Sequence, residues 1–220
     1  MLPSAPVRLA GIVFDLDGTL VDSRPDLASA VNATRACLGL APLPVEAVTA
    51  MVGEGARTLL RRALPAGVTG EAFEAALAIF LDLYYDCCLE QTRPYAGIPQ
   101  AIDALVGRHR LAVLTNKPER HSRKVLAGLG LLEPFAIVIG GDTFPTRKPD
   151  PAGVLDIAGR WGAAPAELLL VGDSRIDAET ARAAGSRLAL VEWGFAAVAP
   201  LLSPGDWHVR RPAELALATA

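Results

Sequence analysis

The sequence predicts an α/β protein with a doubly wound, parallel-sheet, Rossmann-like core and a small all-helical domain inserted after the first strand. Apolar runs of strand length alternate with helical patterns along most of the chain, which is typical of a parallel sheet covered by helices. Residues 23–92 break this alternation because they show only helical periodicity. A segment of about 70 residues is too long for a loop in a compact domain. We therefore expect a separate helical domain at residues 23–92 and a core built from residues 1–22 and 93–220.

The predicted strands are short runs rich in Val, Ile and Leu, as expected for strands buried on both faces of a sheet. In chain order they are residues 9–14, 111–114, 136–139, 168–171 and 188–191, with a further short strand at Trp207–Val209. Within the inserted segment, one helix is predicted from Pro25 to Gly39, because proline suits a first turn and glycine a helix end. A second, longer helix carries an apolar stripe from Phe73 to Tyr84.

Composition limits the classes of function. The chain has 220 residues, of which 51% are hydrophobic and 20% charged, with a formal net charge of -3 and a pI near 5.6. This balance gives no general attraction to nucleic acid or to an acidic membrane surface. No apolar run approaches the roughly 18 residues that span a bilayer, and the N-terminus does not read as a signal peptide. We expect a cytoplasmic protein, a monomer or homodimer, that acts on a small molecule.

The three cysteines do not indicate a metal site. Cys37, Cys87 and Cys88 are odd in number and lack a CxxC spacing, so free thiols are expected rather than disulfides or zinc ligands.

Polar side chains follow several of the predicted strands, at the edge where an open parallel sheet binds ligands. They are Asp15 and Asp17, Thr115 and Asn116, Lys148 in a loop, and Asp173 and Asp177. Carboxylates that converge repel one another unless a cation lies among them, and hard oxygen ligands suit Mg²⁺. A lysine with neutral donors suits a phosphate group. The sequence therefore predicts a magnesium site that binds a phosphate ester.

Four segments in order resemble the motifs of the haloacid dehalogenase superfamily of phosphohydrolases. They are FDLDGTLVDS at residues 14–23, TNKP at 115–118, KPDP at 148–151 and VGDSRID at 171–177. The helical insertion lies where that superfamily carries its type 1 cap domain. The segments VGEGARTLL, GGDTFPTRKPDP and DAETARAAG are similar to those of bacterial phosphoglycolate phosphatases in particular.

The resemblance implies a role for each motif residue. Asp15 would be the nucleophile that forms an aspartyl phosphate, and Asp17 the general acid and base. Mg²⁺ would be held by Asp15, Asp173 and the backbone carbonyl of Asp17. The remaining implied residues support the phosphoryl group and the turn: Thr115, Asn116 and Lys148 would hold phosphoryl oxygens, Asp177 would orient Lys148 or a metal-bound water, and Gly18 would form the turn. Ile176 departs from the pattern, because a polar residue is common there.

The resemblance implies hydrolysis of 2-phosphoglycolate to glycolate and phosphate. In the inserted segment Arg57 is the candidate for binding the substrate carboxylate, although an exposed ion pair on a helix surface suits it equally well. Alternatives are another small-metabolite phosphatase or pyrophosphatase, a phosphosugar mutase, or a binding module without turnover. Phosphonate hydrolysis through a Schiff base would need a lysine in residues 23–92, which have none. Asp17 argues against a dehalogenase.

Overall fold

A six-stranded parallel sheet lies at the centre of the structure, a computed structural model that describes residues 9–218. Residues 1–8, which the sequence analysis assigns to the core, lie outside the described residues. The strands are β1 (Gly11–Phe14), β2 (Val21–Asp22), β3 (Arg93–Pro94), β4 (Arg110–Leu114), β5 (Phe135–Ile139), β6 (Leu168–Gly172), β7 (Arg187–Val191) and β8 (Trp207–Val209). Each of the six strands predicted from apolar runs is confirmed, including the final one at Trp207–Val209.

The strand order is β5-β4-β1-β6-β7-β8, so the chain runs to one side of β1 and then to the other. In the register of the sheet, Phe14 at the end of β1 lies beside Val113 of β4 and Val171 of β6. The carboxyl ends of the three central strands therefore lie side by side. This is the position where open parallel sheets bind ligands.

Helices cover both faces of the sheet. They are α1 (Arg24–Cys37), α2 (Val45–Thr49), α3 (Ala56–Ala63), α4 (Gly70–Cys87), α5 (Ile98–Leu105), α6 (Glu119–Gly128), α7 (Ala152–Trp161), α8 (Arg175–Ala184) and α9 (Ala213–Ala218). Alternate residues of β1 face opposite sides: Val13 packs with residues of α7 and α8, whereas Ile12 and Phe14 belong to the apolar cluster on the other face. Because all three are fully buried, β1 is the centre of the core.

The inserted segment is helical, as predicted. Within the described part of the chain, residues 23–92 contain α1 to α4 and no strand. The predicted helix from Pro25 to Gly39 corresponds to α1, and the longer one to α4. The two-residue strands β2 and β3 pair antiparallel where the chain leaves the sheet and returns to it. The division into separate domains at these points stays a prediction.

The two other sequence-based expectations on the fold concern cysteines and membranes. All three cysteines are free thiols, as expected. Among the described helices, none combines the length and the apolar character needed to cross a bilayer.

A buried carboxylate ties the start of the helical segment to its end. Asp26 in α1 is fully buried and accepts hydrogen bonds from the backbone N–H groups of Gln91 and Thr92, at 2.9 and 2.8 Å, and from the Thr92 hydroxyl at 2.7 Å. These donors lie just before β3. Asp26 therefore fixes the returning chain against the outgoing one at the base of the segment.

Replacing Asp26 by alanine should destabilise the protein. The variant loses the acceptor of three hydrogen bonds and leaves donors of the buried Thr92 without a partner, which costs roughly 2–4 kcal/mol of unfolding free energy. Urea denaturation monitored by circular dichroism measures the change. Asp103→Ala, at an exposed position of α5, is the matched control and should be close to neutral. Equal stability of the two variants would contradict the role assigned to Asp26.

Candidate active site

The sheet edge brings together the two strand-end aspartates of the first and last sequence motifs. Asp15 follows β1 directly and its N–H donates to Val171 of β6 at 2.9 Å. Asp173 follows β6, and its Oδ2 accepts the backbone N–H of Phe195 at 2.7 Å. Residues Asp15 and Asp173 are 9% and 3% exposed, so both carboxyl groups lie in a largely desolvated site.

Lys148 lies between two carboxylates. Its Nζ is 3.0 Å from Asp15 Oδ1 and 2.6 Å from Asp177 Oδ1, and the side chain is almost fully buried. One carboxylate oxygen from each of Asp15, Asp173 and Asp177 lies within 4.8 Å of the other two. If all three carboxyl groups are ionised, the single Lys148 ammonium leaves two negative charges in this cluster without compensation.

The protonation equilibria reflect that imbalance. Burial raises the pKa of Asp15 to about 6, although the Lys148 charge opposes the shift. Burial, together with repulsion from Asp177 and Asp15, raises the pKa of Asp173 to about 8. Burial alone would lower the pKa of Lys148, but Asp15 and Asp177 outweigh it and raise the pKa above its usual range. A cation added beside Asp15 and Asp173 would relieve the repulsion.

Asp177 has a second structural function at the start of α8. Its Oδ2 accepts from the backbone N–H and the hydroxyl of Ser174, at 3.1 and 2.6 Å, while the Ser174 hydroxyl accepts the Asp177 N–H. This reciprocal cap fixes the carboxylate at the helix N-terminus. Its Oδ1 is thereby aimed at Lys148.

Gly18 is needed for the close approach of the first motif to Asp173. Its φ is 84°, in the left-handed region, and a β-carbon there would overlap the Asp173 carboxylate. Gly18 therefore permits both the turn after Asp17 and the packing of that turn against β6.

The Asp17 carboxylate is held by groups that sequence reasoning missed. Its Oδ1 accepts from Ser23 Oγ at 2.6 Å and from Lys117 Nζ at 2.8 Å, and Lys117 also donates to the hydroxyl of Tyr84 in α4. Ser23 occupies the N-cap position of α1 but makes no side-chain capping bond, because its hydroxyl contacts Asp17 instead. For Lys117 the signal was present in TNKP, where a lysine directly follows the predicted phosphate-binding pair. For Tyr84, only the fold shows the contact.

Thr115 and Asn116 lie in the site, but the side chain of Asn116 has other partners. Thr115 is buried directly after β4. The Asn116 amide donates at 2.9 Å to the backbone carbonyls of Gly53 and of Lys148. Its two donor hydrogens therefore connect the helical segment, the strand end and the lysine loop. The contact of Asn116 with a phosphoryl oxygen stays a prediction.

Arg57 lies on the surface. Its guanidinium forms a bidentate pair with Glu74, at 2.7 and 2.8 Å, and lies 5.6 Å from the centre of the Phe73 ring. The side chain is 43% exposed and does not line the cavity described below. The structure thus places Arg57 in the helix-surface ion pair that was the alternative interpretation. Ile176 is buried and lies close to Gly53 of the helical segment.

A cavity of about 170 Å³ lies between the helical segment and the sheet edge. The sheet side contributes Asp15, Asp17, Thr115, Asn116, Lys117 and Asp173. The helical side is mostly apolar, with Leu27, Ala50, Val52, Ala56, Leu59 and Phe80 in the lining. A space of this size suits a small metabolite.

The fold and the site together define a Rossmann-like enzyme in which buried carboxylates and a buried lysine meet beneath a helical insertion. Residues 9–185 match the family model of the haloacid dehalogenase-like hydrolases. The chain belongs to this family of hydrolases.

Several known proteins are similar to this chain over most of its length. It is 38% identical to the phosphoglycolate phosphatase of Nitrosospira multiformis, over 86% of each chain. It is 44% identical to that of Rhodospirillum rubrum, over 84% of this chain and 80% of the relative. A crystal structure from Haemophilus somnus, described as a predicted phosphoglycolate phosphatase, is 30% identical with a TM-score of 0.91 and covers 97% of this chain and 99% of its own.

Asp173→Asn should alter how stability depends on pH in the presence of a chelator. A carboxyl group with a higher pKa in the folded than in the unfolded state favours folding at low pH, and this contribution is lost as the pH rises through the folded pKa. For Asp173 the loss extends from its usual range up to about pH 8. Relative to the variant, wild-type protein should therefore lose unfolding free energy as the pH rises over this window, measured by urea denaturation.

The stabilisation of the protein by added Mg²⁺ should increase as the pH rises. Because it would offset the repulsion between ionised carboxylates, added Mg²⁺ should stabilise the wild type more at about pH 8 than at about pH 6. Asp173→Asn should show much less stabilisation. A wild-type-to-variant difference that is independent of pH would contradict the charge imbalance assigned to this site.

Proposed function

We propose that this protein is a Mg²⁺-dependent phosphomonoesterase that hydrolyses 2-phosphoglycolate to glycolate and phosphate through an aspartyl-phosphate intermediate. The observation that carries the proposal is the buried Asp15 carboxylate, which contacts the Lys148 ammonium at 3.0 Å and lines the same cavity as Asp17. The residues proposed as nucleophile and acid therefore lie with a lysine at one sheet edge, which supports the proposal.

In the first step an Asp15 carboxylate oxygen attacks phosphorus and the bond from phosphorus to the ester oxygen breaks. Asp17 donates its proton to the leaving alkoxide, so that glycolate leaves as the alcohol. In the second step a water attacks phosphorus of the aspartyl phosphate, Asp17 accepts a proton from that water, and the Asp15 carboxylate is released with inorganic phosphate. Ser23 and Lys117 hold the Asp17 carboxylate beside this path.

The chain has a donor set that fits Mg²⁺. Asp15, Asp173 and the backbone carbonyl of Asp17 would hold the ion, which when bound supplies positive charge beside the phosphoryl oxygens. The fit rests on the uncompensated negative charge and on the all-oxygen character of the acidic cluster. Lys148 contributes a fixed positive charge beside Asp15 and is held in place by Asp177.

Two observations favour 2-phosphoglycolate over the alternatives. The named relatives at 38% and 44% identity are phosphoglycolate phosphatases. A mutase must hold a bisphosphorylated intermediate, which calls for a cation facing the cavity from the helical segment. Within the described residues, that side of the lining has none.

The substrate assignment predicts an order of reactivity. With Mg²⁺ present, kcat/KM should be highest for 2-phosphoglycolate among a panel that includes glucose 6-phosphate, pyrophosphate and p-nitrophenyl phosphate. A chelator should abolish all activity. Faster hydrolysis of pyrophosphate or of the phosphosugar would overturn the substrate, and no hydrolysis of any ester would favour a binding module.

Asp15→Asn should abolish turnover while the fold is kept, because the amide has nearly the same shape but cannot attack phosphorus. We expect kcat to fall by at least about a thousandfold on p-nitrophenyl phosphate with saturating Mg²⁺. Asp103→Asn on the exposed face of α5 is the control and should retain full activity. Substantial turnover by the Asp15 variant would rule out the covalent mechanism.

A further inference from the structure

The cavity lining contains a single cationic side chain among the residues that the structure describes, and that side chain is Lys117. Lys148 contacts Asp15 but does not belong to the lining, and Arg57 is paired with Glu74 on the surface. The helical side of the cavity is mostly apolar. An anionic group on the part of the substrate that is not transferred would therefore have one cationic partner within reach.

Lys117 is held in a fixed position. The residue is 5% exposed, and its ammonium contacts Asp17 on the sheet side and the Tyr84 hydroxyl on the helical side. It also lies 4.5 Å from the centre of the Tyr84 ring. A solvated surface lysine would adopt many rotamers, whereas this ammonium is already ordered for binding.

Tyr84 is fixed as well. Its ring is stacked between Phe80 and His121, with centroid distances of 5.8 and 5.6 Å and interplanar angles of 8° and 12°. The Tyr84 hydroxyl accepts from Lys117, and no acceptor for its own hydrogen is found in residues 9–218. An ammonium has three hydrogens, of which Lys117 uses two on Asp17 and Tyr84. Together the pair offers two hydrogens to a further acceptor.

The position relative to Asp17 sets the distance to the substrate. In the proposed reaction Asp17 protonates the ester oxygen, so this oxygen lies beside the Asp17 carboxylate. The Lys117 ammonium lies 2.8 Å from Asp17 Oδ1. The Asp17 carboxylate therefore lies between this ammonium and the ester oxygen. In a 2-phosphorylated acid only one carbon separates the ester oxygen from the carboxylate. A carboxylate at that separation can reach the ammonium and the phenol.

We propose that Lys117 and Tyr84 bind the carboxylate of a short phosphorylated acid, and that Lys117 is the specificity-determining residue of this site. This inference rests on the proposed function and names the group that Arg57 was expected to supply. It assigns Lys117 a contact with the substrate in addition to its contact with Asp17.

The test compares two substrates of similar length, 2-phosphoglycolate and 2-hydroxyethyl phosphate, of which only the first carries a carboxylate. Lys117→Met keeps the length of the side chain and removes the charge. We expect kcat/KM for 2-phosphoglycolate to fall about ten- to a hundredfold more than for 2-hydroxyethyl phosphate, as a lost charge-assisted contact predicts. Much of the selective loss should appear in KM, because the carboxylate is bound in the ground state as well.

A role confined to positioning Asp17 gives a different result. Both substrates need the same proton transfer, so Lys117→Met would then lower kcat by the same factor for both, and the inference would be overturned. Tyr84→Phe, which removes only the hydroxyl, should show a smaller loss that is again selective for 2-phosphoglycolate. A selective loss in Arg57→Ala and none in Lys117→Met would assign the carboxylate to Arg57.

Lys124→Met is the matched control. The Lys124 ammonium lies 4.2 Å from the centre of the neighbouring Tyr85 ring but outside the cavity lining. Its replacement should therefore leave kcat/KM unchanged for both substrates. Circular dichroism and residual hydrolysis of 2-hydroxyethyl phosphate show whether each variant is folded. If the wild type itself shows no preference for 2-phosphoglycolate, the substrate of the proposed function is wrong and the inference falls with it. If the wild type has the preference and Lys117→Met keeps it, only the inference fails.

Discussion

The active site depends on the ion pairs that the buried Lys148 ammonium forms with two carboxylates. The ammonium contacts Asp15 and Asp177, and among residues 9–218 it is the only cationic side chain paired with this cluster, which also includes Asp173. Removing several charges from water is costly unless each is paired, and here the pairing is incomplete. The fold accepts this cost because β1, β6 and the cap of α8 hold the carboxylates in place. A site that remains short of positive charge is suited to bind a divalent cation.

The inserted helices complete the site from the other side. Asn116 donates to the Gly53 carbonyl in that segment, and Lys117 donates to the Tyr84 hydroxyl. Both contacts arise directly after β4, so the strand that supplies the predicted phosphate-binding pair also joins the two parts of the chain. Both hydrogen bonds are donated by side chains of the core. The cavity that they border therefore has polar groups on the sheet side and a mostly apolar wall on the helical side, which suits a small ligand.

A lysine that contacts both the general acid and the helical segment links two properties of the proposed enzyme. Asp17 would transfer the proton, and Lys117 fixes where its carboxylate lies. A substrate carboxylate bound by Lys117 would be placed beside the same acid. Substrate selection and proton transfer would then use one set of contacts, and esters without an acidic group would lose only the contact with Lys117.

The amino-acid sequence was sufficient to predict the sheet, the helical insertion and the convergence of strand-end aspartates at one sheet edge. Buried parallel strands need continuous apolar runs, and residues that follow such strands meet at one edge, so Asp15 and Asp173 could be placed without coordinates. It could not place Arg57, because a helical arginine beside apolar residues suits a surface pair with Glu74 as well as a ligand. The hydrogen bonds from Asn116 to backbone carbonyls and from Lys117 to the Tyr84 hydroxyl became visible only in the folded protein. Those contacts join residues far apart in the chain. The local spacing of residues does not indicate which distant side chains will meet when the chain packs.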